Sequence, residues 1–325
     1  MKVLVTGAGG FIGSHLTEEL IKRGEEVRAF LRYNSQGDIR LLRFLPKRLQ
    51  SKIEYFFGDI KDPDSVRRAV RGCKKVYHLA ALIAIPYSYI NPNDFVQTNV
   101  TGTANLLNAC RDDDVEKIIH TSTSEVYGTA RYVPIDEKHP LQGQSPYAAS
   151  KIGADQLAES YFRAFDLPVV IVRPFNTYGP RQSLRAIIPT IIMQLLSKRK
   201  TLRLGSVHPT RDFLFVKDTV RGFAELGRCS GAVGKTVNLG IGKEISIKEL
   251  ARKIGELMGV NVVFATEKKR IRPGKSEVEQ LCADSTLAQR LINWKPRYFL
   301  KDGLTKTIEW FGDNPDISRS GEYQI

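Results

Sequence analysis

Thr6-Gly7-Ala8-Gly9-Gly10-Phe11-Ile12-Gly13 joins a short β-branched run, Val3-Leu4-Val5, to a stretch with helical periodicity that reaches about Arg23. Glycines three residues apart, at Gly7, Gly10 and Gly13, constrain the fold more than any other feature of the chain. A strand-to-helix turn of this kind needs glycine so that the backbone can bend and approach a phosphate. The phosphate charge then faces the positive end of the helix. A purely structural turn does not require that spacing. The chain is therefore expected to open on a unit that binds a dinucleotide through Gly7, Gly10, Phe11, Ile12 and Gly13.

Short β-branched runs then alternate with amphipathic stretches. Residues 3–6, 27–30, 53–57, 76–79, 117–120 and 169–172 read as strands, with helical patterns between them, notably 93–110 and 146–165. This alternation predicts an α/β fold, a Rossmann doubly wound parallel sheet with ligands at the carboxyl ends of its strands. After Arg173-Pro174 the pattern loosens. Helices are predicted over 187–196, 217–228 and 246–258, the last opened by Ser246 with Glu249 at the capping-box position. Strands are predicted at 213–216 and 237–239. No Gly/Ser linker intervenes, so a smaller C-terminal α/β substrate lobe is expected to interleave with the first domain. The expected division is 1–175 for the dinucleotide-binding domain, with a returning segment at about 206–240. The substrate lobe would take about 176–205 and 241–325, with a polar tail from about Asp313 that docks loosely.

Apolar content of 42% and charged content of 26% are those of an ordinary globular protein. The net charge of +14 is spread along the chain, and only Lys198-Arg199-Lys200 and Lys268-Lys269-Arg270 form tight clusters. Without a zinc-finger or RNA-recognition signature, this favours a phosphate-binding cleft over nucleic acid. Cys73, Cys110, Cys229 and Cys282 are far apart and lack metal-ligand spacing, which suits a reducing compartment. No run is long enough for a signal peptide or a membrane span. A cytoplasmic protein without a structural metal is expected.

Tyr147-Ala-Ala-Ser-Lys151 carries the chemistry, together with Ser122-Thr123-Ser124-Glu125. On a helix, Tyr147 and Lys151 lie one turn apart on one face. An ammonium beside a phenol favours the phenolate, which then accepts a proton from an alcohol losing hydride. Glu125 adds a second base. At the end of the second strand no acid precedes Asp38, whereas Arg32 and Ser35 are suited to hold a 2′-phosphate, which favours NADP over NAD, and Asn34 between them is also expected to touch the cofactor. Asp59-Ile60 fits the adenine edge, and Leu79-Ala80-Ala81 are small enough to let the cofactor pass.

The glycine loop, His78-Leu79-Ala80-Ala81, Asn99, Ser122 to Gly128, Tyr147 with Lys151, and Arg173 to Arg181 follow in order, with Arg211-Asp212-Phe213 and Arg272-Pro273-Gly274 beyond them. In this the chain resembles the extended short-chain dehydrogenase/reductases, in their nucleotide-sugar epimerase/dehydratase branch, over nearly its whole length. The resemblance implies a nucleotide-diphosphate sugar substrate and a tightly bound, recycled NADP or NAD touching Asn99, Tyr147 and Lys151. It also implies a sugar-binding hydroxyl at Thr123, and substrate-binding groups at Asn176, Arg181, Arg211 and Arg272. Leu204 to Asp212, and Ser276-Glu277-Val278-Glu279 onward to Trp310-Phe311, are similar to a narrower group. Those are 4,6-dehydratases of nucleotide-linked N-acetylglucosamine on routes to legionaminic-acid-type sugars and cell-surface polysaccharides.

The reaction implied is redox-neutral: transient oxidation at C4, proton removal at C5 by Glu125, loss of water, and return of hydride to C6. One departure stands out. Better-known hexose 4,6-dehydratases carry an aspartate before the glutamate, and here that residue is Ser124, a far weaker acid. The Thr-Ser-Glu triplet also resembles UDP-glucuronate decarboxylases, and a 4-epimerase would need neither acid nor Glu125. Dehydratase is the leading reading, with epimerase and decarboxylase as alternatives; UDP, GDP and dTDP all remain open as the nucleotide. A nucleotide-sensing or RNA-binding relative is the non-enzymatic alternative. The intact Thr123, Glu125, Tyr147 and Lys151 argue against it.

Other residues have plainer readings. His78, His120 and His139 are expected to pack or hydrogen-bond, Asp112-Asp113-Asp114 to be solvated, and Pro86-Tyr87-Ser88-Tyr89 either to line a loop or to reach the sugar. The helices from about 93 and 146 carry apolar residues beyond one face, and in the family resembled such helices pair across a two-fold axis. A homodimer is expected, and light scattering after size-exclusion should give twice the 36.5 kDa chain mass. A monomer alone would refute it.

Overall fold

A computed structural model describes residues 1–199 and 201–315. Lys200 and the tail beyond Pro315 lie outside the described residues. Six parallel strands arise where β-branched runs were read: β1 (Lys2–Thr6), β2 (Glu26–Arg32), β3 (Ile53–Gly58), β4 (Lys75–His78), β5 (Lys117–Thr121) and β6 (Val169–Pro174). They lie in the order β6-β5-β4-β1-β2-β3, with Thr236–Leu239 added beside β6 as a seventh strand. The order reverses at β1, so the crevice beyond its carboxyl end is a topological switch point of a doubly wound α/β sheet.

Alternation along each strand feeds two cores. Val3 and Val5 of β1 join Val27, Ala29 and Leu31 of β2 on one face. Leu4 turns the other way, against Phe30, Val76 and Ile118. Burial of both faces explains why these strands read as nearly continuous apolar runs.

The helix Pro146–Phe165 is defined by its ends. Ser145 caps it by accepting from Ala148 N at 3.1 Å, Pro146 occupies the first turn, and Asp166 ends it in the left-handed region at φ 52°. Its buried face carries Tyr147, Ser150, Lys151, Ala154, Asp155 and Ala158, at helical spacing. The second expected helix, 93–110, is interrupted. Pro92–Phe95 and Gly102–Asp112 flank a wider π-type turn at Val96–Thr101, in which Asn99 is the buried residue.

Beyond β6 the chain builds a second sheet around Thr210–Phe215, paired with Asn176–Tyr178, Glu244–Ser246 and Gln280–Leu281. A parallel pair, Thr201–Leu204 with Val263–Thr266, stands apart from it. Within 206–240, Thr236–Leu239 returns to the large sheet while Thr210–Phe215 is central to the small one. The helix Ile247–Leu257 opens on the reciprocal Ser246–Glu249 cap. Among the described residues no helix is long and apolar enough to cross a membrane.

Gly13 shows how tightly the first turn is closed. A β-carbon there would lie 2.2 Å from the Gly7 carbonyl oxygen, a backbone atom that cannot step aside. Gly13→Ala is expected to cost about 1–3 kcal/mol, as overpacking does, read as a lowered denaturation midpoint. Gly312→Ala is the control: its added carbon meets nothing within 4 Å on the helix Leu300–Asp313. That variant is expected to be neutral or slightly stabilised.

Candidate active site

The switch-point crevice begins at Thr6, the last residue of β1. Its hydroxyl oxygen accepts from the backbone N–H groups of Leu79 and Ala80, each at 3.1 Å, and is hydrogen-bonded to His78 Nδ1 at 2.8 Å. His78 reaches Thr103 through Nε2 at 3.0 Å, and burial holds its imidazole well below its usual pKa. It is therefore a neutral strut. These bonds draw the Leu79-Ala80-Ala81 segment against the glycine loop so closely that a β-carbon on Gly7 would lie 2.8 Å from Ala80 N.

Gly10 is the N-cap of the helix Phe11–Lys22; it has no side chain to cap with, and the first turn holds no acid. The orphan N–H groups that begin every helix are thus left for an external anion. A bare helix end and a floor where a methyl group would clash fit the pyrophosphate of a dinucleotide. At the end of β2, Arg32 and Ser35 are exposed. The Asn34 side chain is occupied locally, accepting from Gln36 N at 3.1 Å and Asp38 N at 2.9 Å. Asp59 accepts from Lys61 N at 2.9 Å, and Ile60 is buried against Gly102. Asn99 is held by three hydrogen bonds. Its amide bonds both backbone groups of Leu82, at 2.8 and 2.9 Å, and the Ser150 hydroxyl at 2.9 Å. It ties the loop after β4 to the helix Pro146–Phe165 and so shapes the crevice from behind.

Tyr147 and Lys151 are buried on that helix, one turn apart. The lysine ammonium donates to the Thr121 carbonyl at 2.7 Å, and burial brings its pKa down to about 8, against the pull of Asp155. The expected lowering of the phenol is not found. Burial pushes Tyr147 well above its ordinary value, and the Thr123 hydroxyl beside it only partly offsets this. The reason is the shared low-dielectric pocket, which penalises phenolate and ammonium alike. Thr123 caps the short turn Ser124–Tyr127 by accepting from Glu125 N at 3.2 Å. Ser124 and Glu125 are buried in that turn.

Glu125 faces charges from the strand Thr210–Phe215 and from the loop that precedes Gln280–Leu281. Its Oε2 lies 3.8 Å from Arg272 Nη1, and Glu277 Oε1 lies 3.5 Å from the same nitrogen and 3.6 Å from Arg211 Nη2. Arg211 is 6% exposed, and burial first, then Arg272, lowers its pKa while Glu125 and Glu277 oppose this. The strand register sets Asn176 beside Phe213, on the same face as Arg211 two residues earlier. Asn176 Oδ1 and Arg272 Nη1 are buried without a hydrogen-bond partner. An unspent guanidinium donor on the half-buried Arg272, beside the buried Arg211, is suited to an anion with several oxygens. Arg181 is not part of this group: its guanidinium lies 2.6 Å from Glu18 Oε2 and 3.5 Å from Ser14 Oγ, both on the first helix.

Behind the lysine lies a buried network that the sequence reading missed. Asp155, 1% exposed, accepts from Ser122 Oγ at 2.6 Å and from Arg173 Nη2 and Nε at 3.0 and 3.3 Å, with His120 Nε2 at 3.2 Å from its other oxygen. Burial alone would raise this carboxyl, but His120, Arg173 and Lys151 together bring it below its usual value. Its position four residues after Lys151 was the available signal.

Residues 4–307 match the family model described as GDP-mannose 4,6 dehydratase. A UDP-glucose 4-epimerase of Mycolicibacterium smegmatis is 33% identical over 317 residues, covering 96% of this chain and 98% of its own. The crystal structure of a dTDP-glucose 4,6-dehydratase of Streptomyces venezuelae with NAD bound superposes with a TM-score of 0.88 at 30% identity, covering 99% of this chain and all of its own. A UDP-glucuronic acid 4-epimerase of Bacillus cereus, with NAD and UDP-glucuronic acid, gives 0.86 at 30% identity, covering 97% and all respectively.

The depressed Lys151 pKa has a thermodynamic sign. The unfolded chain holds this proton up to about pH 10, the folded one only to about 8, so burying the ammonium is a penalty below pH 8 that fades as pH rises through that window. Lys151→Met removes the penalty. The stability of the variant relative to wild type is expected to be most favourable at pH 7 and to fall by roughly 1–3 kcal/mol by pH 10, measured by urea unfolding at both pH values.

Proposed function

The chain belongs to the extended short-chain dehydrogenase/reductase family of NAD-dependent epimerases and dehydratases, and from that premise we propose that it is a nucleotide-sugar 4,6-dehydratase. The observation that carries this reading is Glu125, a buried carboxylate held in the turn beside Thr123 and Tyr147. Oxidation at C4 alone needs no such group, whereas elimination across C5 and C6 does. The sugar we assign is N-acetylglucosamine, on the strength of Leu204 to Asp212 and of Ser276-Glu277-Val278-Glu279.

A dinucleotide in the glycine cradle supplies an acceptor for the C4 hydride and the hydride returned to C6. Gly7, Gly10, Phe11, Ile12 and Gly13 would hold its pyrophosphate; Arg32, Asn34, Ser35, Asp59, Ile60 and the Leu79-Ala80-Ala81 segment would line its path. NAD is the cofactor bound in both structural relatives described above, while the exposed Arg32 is compatible with NADP.

Thr123 orients the sugar and Tyr147 takes the proton of its 4-hydroxyl. Since burial holds the phenol high, it passes its own proton to Lys151 as it takes the sugar's, a relay that needs the lysine as neutral amine, which its pKa of about 8 supplies increasingly as pH rises toward that value. The 4-ketone acidifies the C5 hydrogen, which Glu125 removes as the C6–O bond breaks and water leaves. Ser124 serves only to relay to the departing hydroxyl the proton that Glu125 has taken from C5. Arg211, Arg272 and Asn176 hold the diphosphate.

A 4-epimerase is the second reading, favoured by the serine at 124 in place of a carboxylic acid and by the similarity to the mycobacterial epimerase. The product distinguishes them. With UDP- or GDP-N-acetylglucosamine, NMR is expected to give a 4-keto-6-deoxy sugar; a galacto-configured product with its C6 oxygen intact would establish the epimerase. Carbon dioxide from UDP-glucuronate would establish a decarboxylase. Glu125→Gln is expected to lower turnover by roughly 10²–10⁴-fold and to abolish deuterium exchange at C5 while sparing C4 oxidation. Tyr147→Phe should stop both, and exchange persisting in Glu125→Gln would remove the base from this scheme.

A further inference from the structure

Glu277 stands between both arginines assigned to the diphosphate, 3.5 Å from Arg272 Nη1 and 3.6 Å from Arg211 Nη2. Neither contact is a hydrogen bond. Arg272 Nη1 is buried with no hydrogen-bond partner, and Arg211 Nη1 donates instead to the Thr210 carbonyl at 2.9 Å. A carboxylate locked onto a guanidinium sits at about 2.7–2.9 Å. This one balances charge without directional bonds, and a better acceptor can take its place.

The carboxylate is also presented from a fixed point. The Glu277 carbonyl accepts from Gln144 Nε2 at 3.0 Å, and its neighbour Val278 is buried among Val126, Tyr127 and Phe175. One residue earlier, Ser276 Oγ is 2.6 Å from Tyr89 Oη. The charged groups facing Glu277 are Arg211 from the strand Thr210–Phe215, Arg272 from the preceding loop and, across Arg272, Glu125 from the turn after β5. Its own segment adds Lys275 and Glu279, the latter paired with His208 at 3.2 Å.

A diphosphate drawn to these arginines therefore meets a carboxylate whose main chain is pinned beside them. Like charges a few ångströms apart in a poorly solvated site repel strongly, and the weaker acid relieves this by binding a proton. We propose that Glu277 is the internal counter-ion of the diphosphate clamp, holding Arg211 and Arg272 together in the free enzyme and taking up a proton when a nucleotide diphosphate binds. This rests on the assignment of those arginines to the diphosphate. Glu277 thereby gates substrate entry by charge, and binding is coupled to proton uptake.

The test is calorimetric titration of NAD-loaded protein with UDP- and GDP-N-acetylglucosamine, in a Tyr147→Phe background that stops turnover. Two buffers of different ionisation heat at pH 7 count protons. Their phosphodiester groups do not titrate there, so any proton taken up belongs to the protein. The expected result is net uptake with Glu277 present, no uptake with Glu277→Gln, and binding roughly tenfold tighter in that variant. Absence of uptake with Glu277 present overturns the proposal without reference to any variant. So does uptake that persists in Glu277→Gln, which would assign the proton to Glu125, or weaker binding there, which would make Glu277 a positioning group. If Arg272→Ala leaves affinity unchanged, the diphosphate assignment falls, and this proposal with it.

Discussion

The carboxylate of Asp155 is the interaction on which the arrangement of the site depends. From one turn beyond Lys151 it gathers His120 and Ser122 at the end of β5 and Arg173 at the end of β6. Those bonds join the helix Pro146–Phe165 to two strands at the level of the crevice. Thr121 lies between His120 and Ser122, so the carbonyl that receives the lysine is carried by the same clamp. The Thr123–Glu125 turn follows within two residues. Removing one partner of a buried, hydrogen-bonded pair such as Asp155–Arg173 costs about 3–5 kcal/mol, so the clamp resists small displacements. Arg173 extends it by donating to Tyr127 Oη at 3.0 Å, which in turn donates to Asn238 Oδ1 at 2.8 Å. The third element of the site and the seventh strand are thereby tied to the same point.

Two charge groups with different physics flank this centre. Around Asp155 every partner is at hydrogen-bonding distance, and the result is rigid. Around Glu125, Glu277, Arg211 and Arg272 the contacts run from 3.5 to 3.8 Å and donors remain unspent. A firmly hydrogen-bonded cluster beside a loosely balanced pair of arginines is what the proposed function asks for, since one end of the ligand would react and the other be captured.

Much of the fold was legible because it depends on local spacing. The six strands came from short β-branched runs, the glycine turn from glycines three residues apart, the helix from Pro146 from its helical pattern, and the Ser246–Glu249 cap from a three-residue signature. The Asn99 contacts were not legible because its partners, Leu82 and Ser150, lie 17 and 51 residues away. Arg181 sits in the run from Arg173 to Arg181 that carries the family resemblance, yet its partner is Glu18, 163 residues distant. The phenol was expected to be acidified by Lys151, a pairwise argument that omitted the desolvation both groups share.

By itself the sequence determined the fold class and a cradle for a dinucleotide. It also put a tyrosine and a lysine on one helical face with a glutamate in a nearby turn, since each of these follows from the order of residues within about twenty positions. Tertiary structure decided where charge would be balanced: that Arg181 serves the first helix, that Asp155 anchors the catalytic face, and that Glu277 stands between two arginines. Burial and Coulomb interaction depend on distance in space, and in this chain Asp155 and Arg181 find partners 18 and 163 residues away.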